Sequence, residues 1–383
     1  MYIRRLAAAV GLCACFLTCL PACQNNQVQE PDPEETEPTH FYEEVEEGLL
    51  VDAVVERPEG NATPKIYVAR KPIFSKEQLY AFLEHIGDPV EEVRVDLTED
   101  EWYNFDGVCA SGGHAIGLWP LDSNFYTGNM SYTRGEADKW YGAMLCRQDG
   151  EVFDPSGADD NTDLFSEPQD FSFATEEEAL AAVKEALAIL DVGSLELQET
   201  LYLSHEALEI AESSDLIREK NAAKGGEVYV KESWTEADDA YMFVFNCGQD
   251  GIPMLTTGWF SQTTDYAPVN IEIRYNRYGI TSMVVQQAVN FDEVAEEPAS
   301  IVSAAEALEV AKEVTQNVVS SCNRIIDRVS LRYTAEQDGD RWLLKPCWEV
   351  AVLQKGVVHF DWKDEDLDAY AYVVVDALTG VEK

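Results

Sequence analysis

Three segments of the chain share a pattern that starts an amphipathic helix. In each, a Ser or Thr is followed three residues later by Glu or Gln, and apolar residues then recur every three or four positions. The pairs are Ser75 with Gln78, Thr175 with Glu178, and Ser303 with Glu306. This is the capping-box arrangement, so we expect a helix after each pair. The second and third segments are either an internal repeat or two examples of a common helix start.

Most of the remaining pattern alternates between apolar and polar residues, which is typical of half-buried antiparallel strands. Such segments lie at 49–58, 91–97, 102–118, 195–203, 226–234, 240–247, 269–276, 279–288, 328–335, 342–353 and 370–380, and 204–220 has a helical pattern. Asn276 to Gly279 has a turn composition, which predicts a hairpin. The fold class expected is therefore α+β, with helices packed on antiparallel sheets in two or three modules.

The first 23 residues have the pattern of an export signal. Arg4 and Arg5 precede an apolar run at 6–20, which is too short for the roughly 20 residues of a membrane span. The sequence Leu20-Pro21-Ala22-Cys23 resembles the lipobox of bacterial lipoproteins. That resemblance implies cleavage after residue 22, a lipid on the Cys23 thiol, and a location on the extracytoplasmic face of the cell membrane.

The segment that follows is acidic and rich in proline. Residues 24–48 contain nine acids, three prolines and no Lys or Arg, which favours an extended tether. We therefore expect a signal peptide at 1–22 and a tether at 23–48. The body is expected to divide into an α+β domain at 49–170, a middle module at 171–298 and a C-terminal module at 299–383.

The net charge narrows the classes of partner. The chain carries −45, and removal of Arg4 and Arg5 with the signal brings it to −47. Nucleic acid and anionic lipid surfaces attract basic patches, so neither is an expected partner. The charge fits a soluble surface that stands away from a negative membrane, or a surface that attracts cationic partners.

The last 81 residues carry short motifs. A helix with Ser-Ala-Ala-Glu-Ala-Leu is followed by a strand with Lys345-Pro346-Cys347-Trp348, and the chain ends in Asp376-Ala377-Leu378-Thr379-Gly380. This segment resembles PepSY-like modules, YycI-like regulatory proteins, and lipoproteins of low-GC Gram-positive bacteria that are grouped as domains of unknown function. The acidic insertion at 361–368 departs from that pattern. The resemblance implies regulation or inhibition of another surface protein, and it supplies no catalytic residues.

Motifs for catalysis and metal binding are weak in this chain. We find no spacing typical of a metalloprotease, P-loop, dinucleotide site or nucleophile elbow, so no cofactor is expected. Cys109 lies near His114 and is a weak candidate nucleophile. Two acidic loops are candidates for calcium; they contain Asp154, Asp159, Asp160 and Asp163 in one, and Asp364, Asp366 and Asp368 in the other.

Five cysteines remain in the exported chain after Cys23. An odd number leaves at least one free thiol. The candidate disulfides are Cys109–Cys146 and Cys322–Cys347, and five free buried thiols are the alternative.

Aromatic residues are concentrated between 102 and 141. Trp102, Tyr103, Trp119, Tyr126 and Trp140 are the candidate ligand-binding residues, and core packing is the alternative. The function expected is that of a lipid-anchored binding protein, a regulatory or scaffolding partner of another cell-envelope protein, rather than an enzyme. The alternative is a lipoprotein that binds a solute, peptide or glycan through the aromatic region.

Overall fold

Two large sheets contain most of the ordered chain. The computed structural model describes residues 38–58, 63–70, 72, 74–99, 102–120, 129–135, 144–145, 161–214, 217, 231, 233–255, 269–318, 322–339, 341–358 and 367–383. Residues from Pro38 onward form one compact unit.

Sixteen strands and four α-helices are found among the described residues. The strands are β1 His40–Glu46, β2 Leu49–Glu56, β3 Ile66–Arg70, β4 Val90–Glu99, β5 Trp102–Cys109, β6 His114–Pro120, β7 Asn129–Thr133, β8 Leu195–Leu203, β9 Ala240–Gln249, β10 Ile252–Pro253, β11 Asn270–Asn276, β12 Gly279–Gln286, β13 Asn290–Glu296, β14 Arg324–Asp338, β15 Arg341–Val358 and β16 Leu367–Asp376. The helices are α1 Lys76–His85, α2 Glu176–Ile189, α3 His205–Ser213 and α4 Ala304–Asn317, with a 3₁₀ turn at Thr162–Phe165.

The strands divide into a seven-stranded and a nine-stranded sheet. The first has the order β1-β2-β14-β15-β3-β13, with β16 also paired to β15. The second has the order β10-β9-β11-β12-β7-β6-β5-β4, with β8 also paired to β9. The pairings are antiparallel except that of β2 with β14, which is parallel and sets Val51 beside Ile326.

The predicted α+β class, with helices packed on sheets in separate modules, is wrong. The described residues are mostly β, with 51% in strands and 21% in helices, and the two curled sheets form a β-rich sandwich. Strands that are distant in sequence share the seven-stranded sheet, and this sharing cuts across the ranges 49–170, 171–298 and 299–383. β1 lies within the range 23–48 that was expected to be a tether.

The local predictions agree with the structure more closely. Thr175 and Ser303 form capping boxes with Glu178 and Glu306, and Ser75 accepts a hydrogen bond from the backbone of Gln78. The predicted hairpin is formed by β11 and β12. Its turn ends at Gly279, whose φ of +83° is a conformation that favours glycine.

One continuous core lies between the sheets. Three helices contribute to it with residues at helical spacing, for example Leu79 and Phe82 of α1, Val183 of α2 and Leu308 of α4. The sheets contribute aromatic side chains such as Tyr241, Phe243, Tyr333 and Trp348. Burial of this apolar surface is the main source of stability for a chain whose net charge opposes compaction.

The abundance of acids is accommodated partly by tyrosines. Tyr hydroxyls donate to carboxylates in the pairs Tyr67–Asp250, at 2.9 Å, Tyr132–Asp88, at 2.6 Å, Tyr202–Glu176, at 2.7 Å, and Tyr370–Asp327, at 2.6 Å. A chain with 72 acids and 27 Lys and Arg cannot pair every carboxylate with a cation. Tyrosine supplies a neutral donor together with apolar area for the core.

Candidate functional site

The nine-stranded sheet is covered on one side only in part. Its inner side packs into the core through residues such as Phe105, Tyr132 and Met283. On the outer side, α3 covers β8 and β9, where Leu208 packs with Leu201 and other residues of a second apolar cluster. Beyond β9, the described outer side chains of β4, β5, β6, β7 and β12 are half-buried or exposed, apart from the buried Ser282.

We define the open face as eleven outer residues on these five strands. They are Val95, Leu97, Asn104, Asp106, Val108, His114, Ile116, Ser131, Thr133, Val284 and Gln286. Register places Val95, Asp106, Ile116, Ser131 and Val284 side by side in one row across the strands. The rows on either side contain Leu97 with Asn104, and Val108 with His114 and Thr133.

The composition of the open face differs from that of the chain as a whole. Leu97 and Ile116 are exposed by 44% and 47%, although both are large apolar residues. Asp106 is the one carboxylate among the eleven residues, while Glu92, Arg94, Glu272 and Arg274 lie around the rim. The outermost strands of the other sheet are different, because β1 and β13 expose the acids Glu43, Glu44, Glu46, Asp292, Glu293 and Glu296.

The titratable groups of the open face form one contact. His114 Nδ1 lies 3.5 Å from Asp106 Oδ1, and both side chains are more than a quarter exposed. Such an exposed pair contributes little to stability, about 0–1 kcal/mol.

A buried carboxylate holds together the strands that carry the open face. Asp88, which is 1% exposed, accepts hydrogen bonds from Ser111 N, at 2.8 Å, Ser111 Oγ, at 2.7 Å, and Tyr132 Oη, at 2.6 Å. These contacts join the connection between β5 and β6 to β7. Gly113 in that connection lies so close to β7 that a Cβ would be 1.9 Å from the carbonyl oxygen of Thr133.

The aromatic site predicted from the sequence is only partly within the described residues. Tyr103 lies on β5 with its half-buried ring packed against the core, and its hydroxyl donates to Asp96. Trp102 begins β5, and Trp119 pairs with Tyr103 from β6. Tyr126, Trp140 and Cys23 lie outside the described residues. Tyr103 therefore serves in packing, on the opposite side of the sheet from the open face.

Cys109 and His114 do not form a catalytic pair. Cys109 points into the core and is 1% exposed, whereas His114 lies on the open face. Burial raises the pKa of the Cys109 thiol to about 12, and the nearby carboxylate of Asp88 acts in the same direction. A nucleophilic thiol needs the opposite shift.

The predicted disulfides and calcium loops also lie only partly within the described residues. Cys109, Cys247, Cys322 and Cys347 form no disulfide, so both predicted disulfides are wrong. Cys146 lies outside the described residues. Five of the seven acids of the calcium loops also lie outside them. Asp368 binds Lys355 and the backbone of Gly356, Asp163 is exposed in the 3₁₀ turn, and the described part of the chain has no metal-binding group.

The C-terminal motifs have structural roles. The buried Trp348 donates from Nε1 to the carbonyl oxygen of Val302, at 2.9 Å, which fixes the entry to α4. Asp376 accepts from the backbone N–H groups of Leu378 and Thr379 and so closes the turn after β16. The roles of both motifs in the fold therefore account for their presence in the sequence.

The residues of the open face were missed by sequence reasoning. Alternation in 91–97 and 102–118 shows that two faces exist, but it does not show which face meets the core. The available signal was that 102–118 contains a single acid, Asp106, in a chain where acids are otherwise frequent.

Comparisons with known proteins support the fold alone. No family model matches the chain, and no curated protein matches it. The chain is similar to the crystal structure of an uncharacterized protein from Eubacterium rectale ATCC 33656, with a TM-score of 0.60 and 16% identity. The similarity covers 90% of this chain and 93% of that one. Within the described residues, no helix has the length and apolar character needed to cross a membrane.

Proposed function

We propose that the protein is a lipid-anchored binding protein on the extracytoplasmic face of the membrane, and that it binds another cell-envelope protein through the open face. The signal and Cys23 support the anchor. The observation that carries the binding role is the open face itself, an exposed sheet surface with apolar residues and one carboxylate in a chain of net charge −45.

The shape of the open face favours a protein over a small solute. Five neighbouring strands at about 4.8 Å spacing give a surface roughly 19 Å wide. Small molecules are bound mainly in concave sites, whereas protein interfaces have an apolar centre with a polar rim. Ile116 lies on β6, the middle strand of the face, Leu97 lies on the edge strand β4, and Asp106 is the one carboxylate among the eleven residues.

The charge distribution sets the chemistry of the partner. Charged residues are depleted at interface centres, which matches the open face. The surrounding chain attracts cationic surfaces and repels acidic ones, including a second copy of itself. The partner is therefore a protein with an apolar contact surface that is flanked by Lys or Arg.

The test is crosslinking of the full-length acylated protein on intact cells, followed by purification and identification of what is attached. Ile116→Arg is the test variant. Val54→Arg is the matched control, because Val54 is also β-branched, lies in a strand of the other sheet and is 52% exposed. We expect one membrane protein in near-stoichiometric yield, reduced about ten-fold or more by Ile116→Arg and unchanged by Val54→Arg.

Leu97→Arg, on the edge strand β4, provides a second variant if Ile116→Arg does not fold. Equal recovery of the partner with all three variants would refute the assignment of the open face. Recovery of only a second copy of the chain, or of no protein, would refute the proposed function.

A further inference from the structure

β1 is an acidic edge strand and begins two residues after Pro38, the first residue of the compact unit. It pairs with β2 on one side and lies at the end of the seven-stranded sheet. Phe41 and Val45 are half-buried against the core, and the other side chains are exposed. The apolar surface that holds this strand in place is therefore small.

Two buried cations supplement that weak apolar contact. Lys312 Nζ of α4 lies 2.7 Å from Glu43 Oε2, and the lysine side chain is 10% exposed. Arg324 of β14, with a side chain 9% exposed, places one guanidinium nitrogen 3.5 Å from Glu46 Oε1. At the start of the strand, His40 Nε2 lies 2.8 Å from Asp52 Oδ1.

Both cations keep other partners if β1 leaves. Lys312 also binds Glu309, at 2.6 Å, one turn earlier on α4. Arg324 also donates to the carbonyl oxygens of Thr315 and Val318 at the end of α4. Breaking a buried ion pair is costly mainly when a charge is left without compensation. After β1 leaves, Lys312 still has a carboxylate partner, and Arg324 still has two carbonyl acceptors at the negative end of the α4 dipole.

The partner strand is also secured independently. β2 pairs along its other edge with β14, and Leu49, Val51 and Ala53 remain in the core. Loss of β1 thus removes one edge ladder and the contacts of Phe41 and Val45 with the core, while the rest of the sheet keeps its pairing.

We propose that β1 is a strap that undocks reversibly while the rest of the body stays folded. Undocking transfers seven residues to the segment that precedes the body. At about 3.3 Å per residue, this adds roughly 23 Å of reach. The gain in reach rests on the lipid anchor of the proposed function, whereas the undocking does not.

Hydrogen–deuterium exchange of the full chain in detergent, read by mass spectrometry in increasing denaturant, tests the strap. We expect the β1 amides bonded to β2 to exchange much faster than the β2 amides bonded to β14, with little dependence on denaturant. Equal exchange rates and equal denaturant dependence in β1 and β2 would overturn the proposal.

A pair of variants tests the role of the cations. Glu43→Gln removes the contact with Lys312, and the neighbouring Glu44→Gln is the control. We expect the β1 amides to exchange about five-fold faster in Glu43→Gln and at the unchanged rate in Glu44→Gln. The exchange rates of β14 and β15 are expected to stay the same in both variants. Equal acceleration in every strand would show global destabilisation and would contradict the strap. Neither measurement involves a partner, so failure here is distinct from failure of the proposed function.

Discussion

The buried carboxylate behind the open face gives the sharpest stability prediction. Tyr132→Phe removes one of the three hydrogen bonds that Asp88 accepts. The ring keeps its edge-to-face contact with Phe82, at a centroid distance of 6.1 Å, because only the hydroxyl is deleted. The perturbation is therefore confined to one buried, charge-assisted hydrogen bond.

The expected loss in the free energy of unfolding depends on which buried hydrogen-bonding groups each variant leaves without a partner. A hydrogen bond to a charged group contributes about 1.5–3 kcal/mol. After Tyr132→Phe, Asp88 still has both donors of Ser111, so we expect a loss of about 1.5–2 kcal/mol, near the lower end. Asp88→Ala leaves the Tyr132 hydroxyl and the Ser111 N–H without their acceptor, so its loss is larger, roughly 3 kcal/mol or more.

The assay is urea unfolding at pH 7, with Tyr278→Phe as control. Tyr278 is 61% exposed, so removal of its hydroxyl is expected to change the free energy of unfolding by less than about 0.5 kcal/mol. The expected order of losses is Asp88→Ala, then Tyr132→Phe, then Tyr278→Phe. A Tyr132→Phe variant as stable as the Tyr278→Phe control would refute the reasoning.

The remaining predictions concern thiols, alkaline pH and a helix start. Cys322 is expected to react with a maleimide in the native protein well before the fully buried Cys247, whose thiol pKa is raised to about 12 by burial; equal labelling rates would contradict this. Burial and the bond to Asp250 raise the pKa of Tyr67 to about 12, above its unfolded value near 10. That stabilisation is present below pH 10 and is lost as the pH rises toward 12. The urea midpoint of Tyr67→Phe is therefore expected to fall less steeply with pH in this range than that of the wild type. An unchanged slope would refute this prediction. Ser303→Ala removes the cap of α4 and is expected to lower the free energy of unfolding by about 1 kcal/mol, measured by circular dichroism; no loss would contradict the capping role.

The sequence by itself determined the features that depend on neighbouring residues. The capping boxes at Thr175 and Ser303 join residues three apart, and the hairpin turn ending at Gly279 needs four residues in one conformation. The chain at Asp376 turns for the same kind of reason. Such contacts form within a short loop, where the entropy lost on closure is small and residue type decides the outcome.

Tertiary structure alone decided which segments share a sheet and which strand faces meet the core. The parallel pairing of Val51 with Ile326, the opposite orientations of Cys109 and His114, and the exposure of Ile116 all follow from that assembly. The backbone hydrogen bonds of one strand fit those of almost any other. The choice among partners is made by the sum of many weak, non-directional apolar contacts across the whole core, and no short stretch of sequence contains that sum.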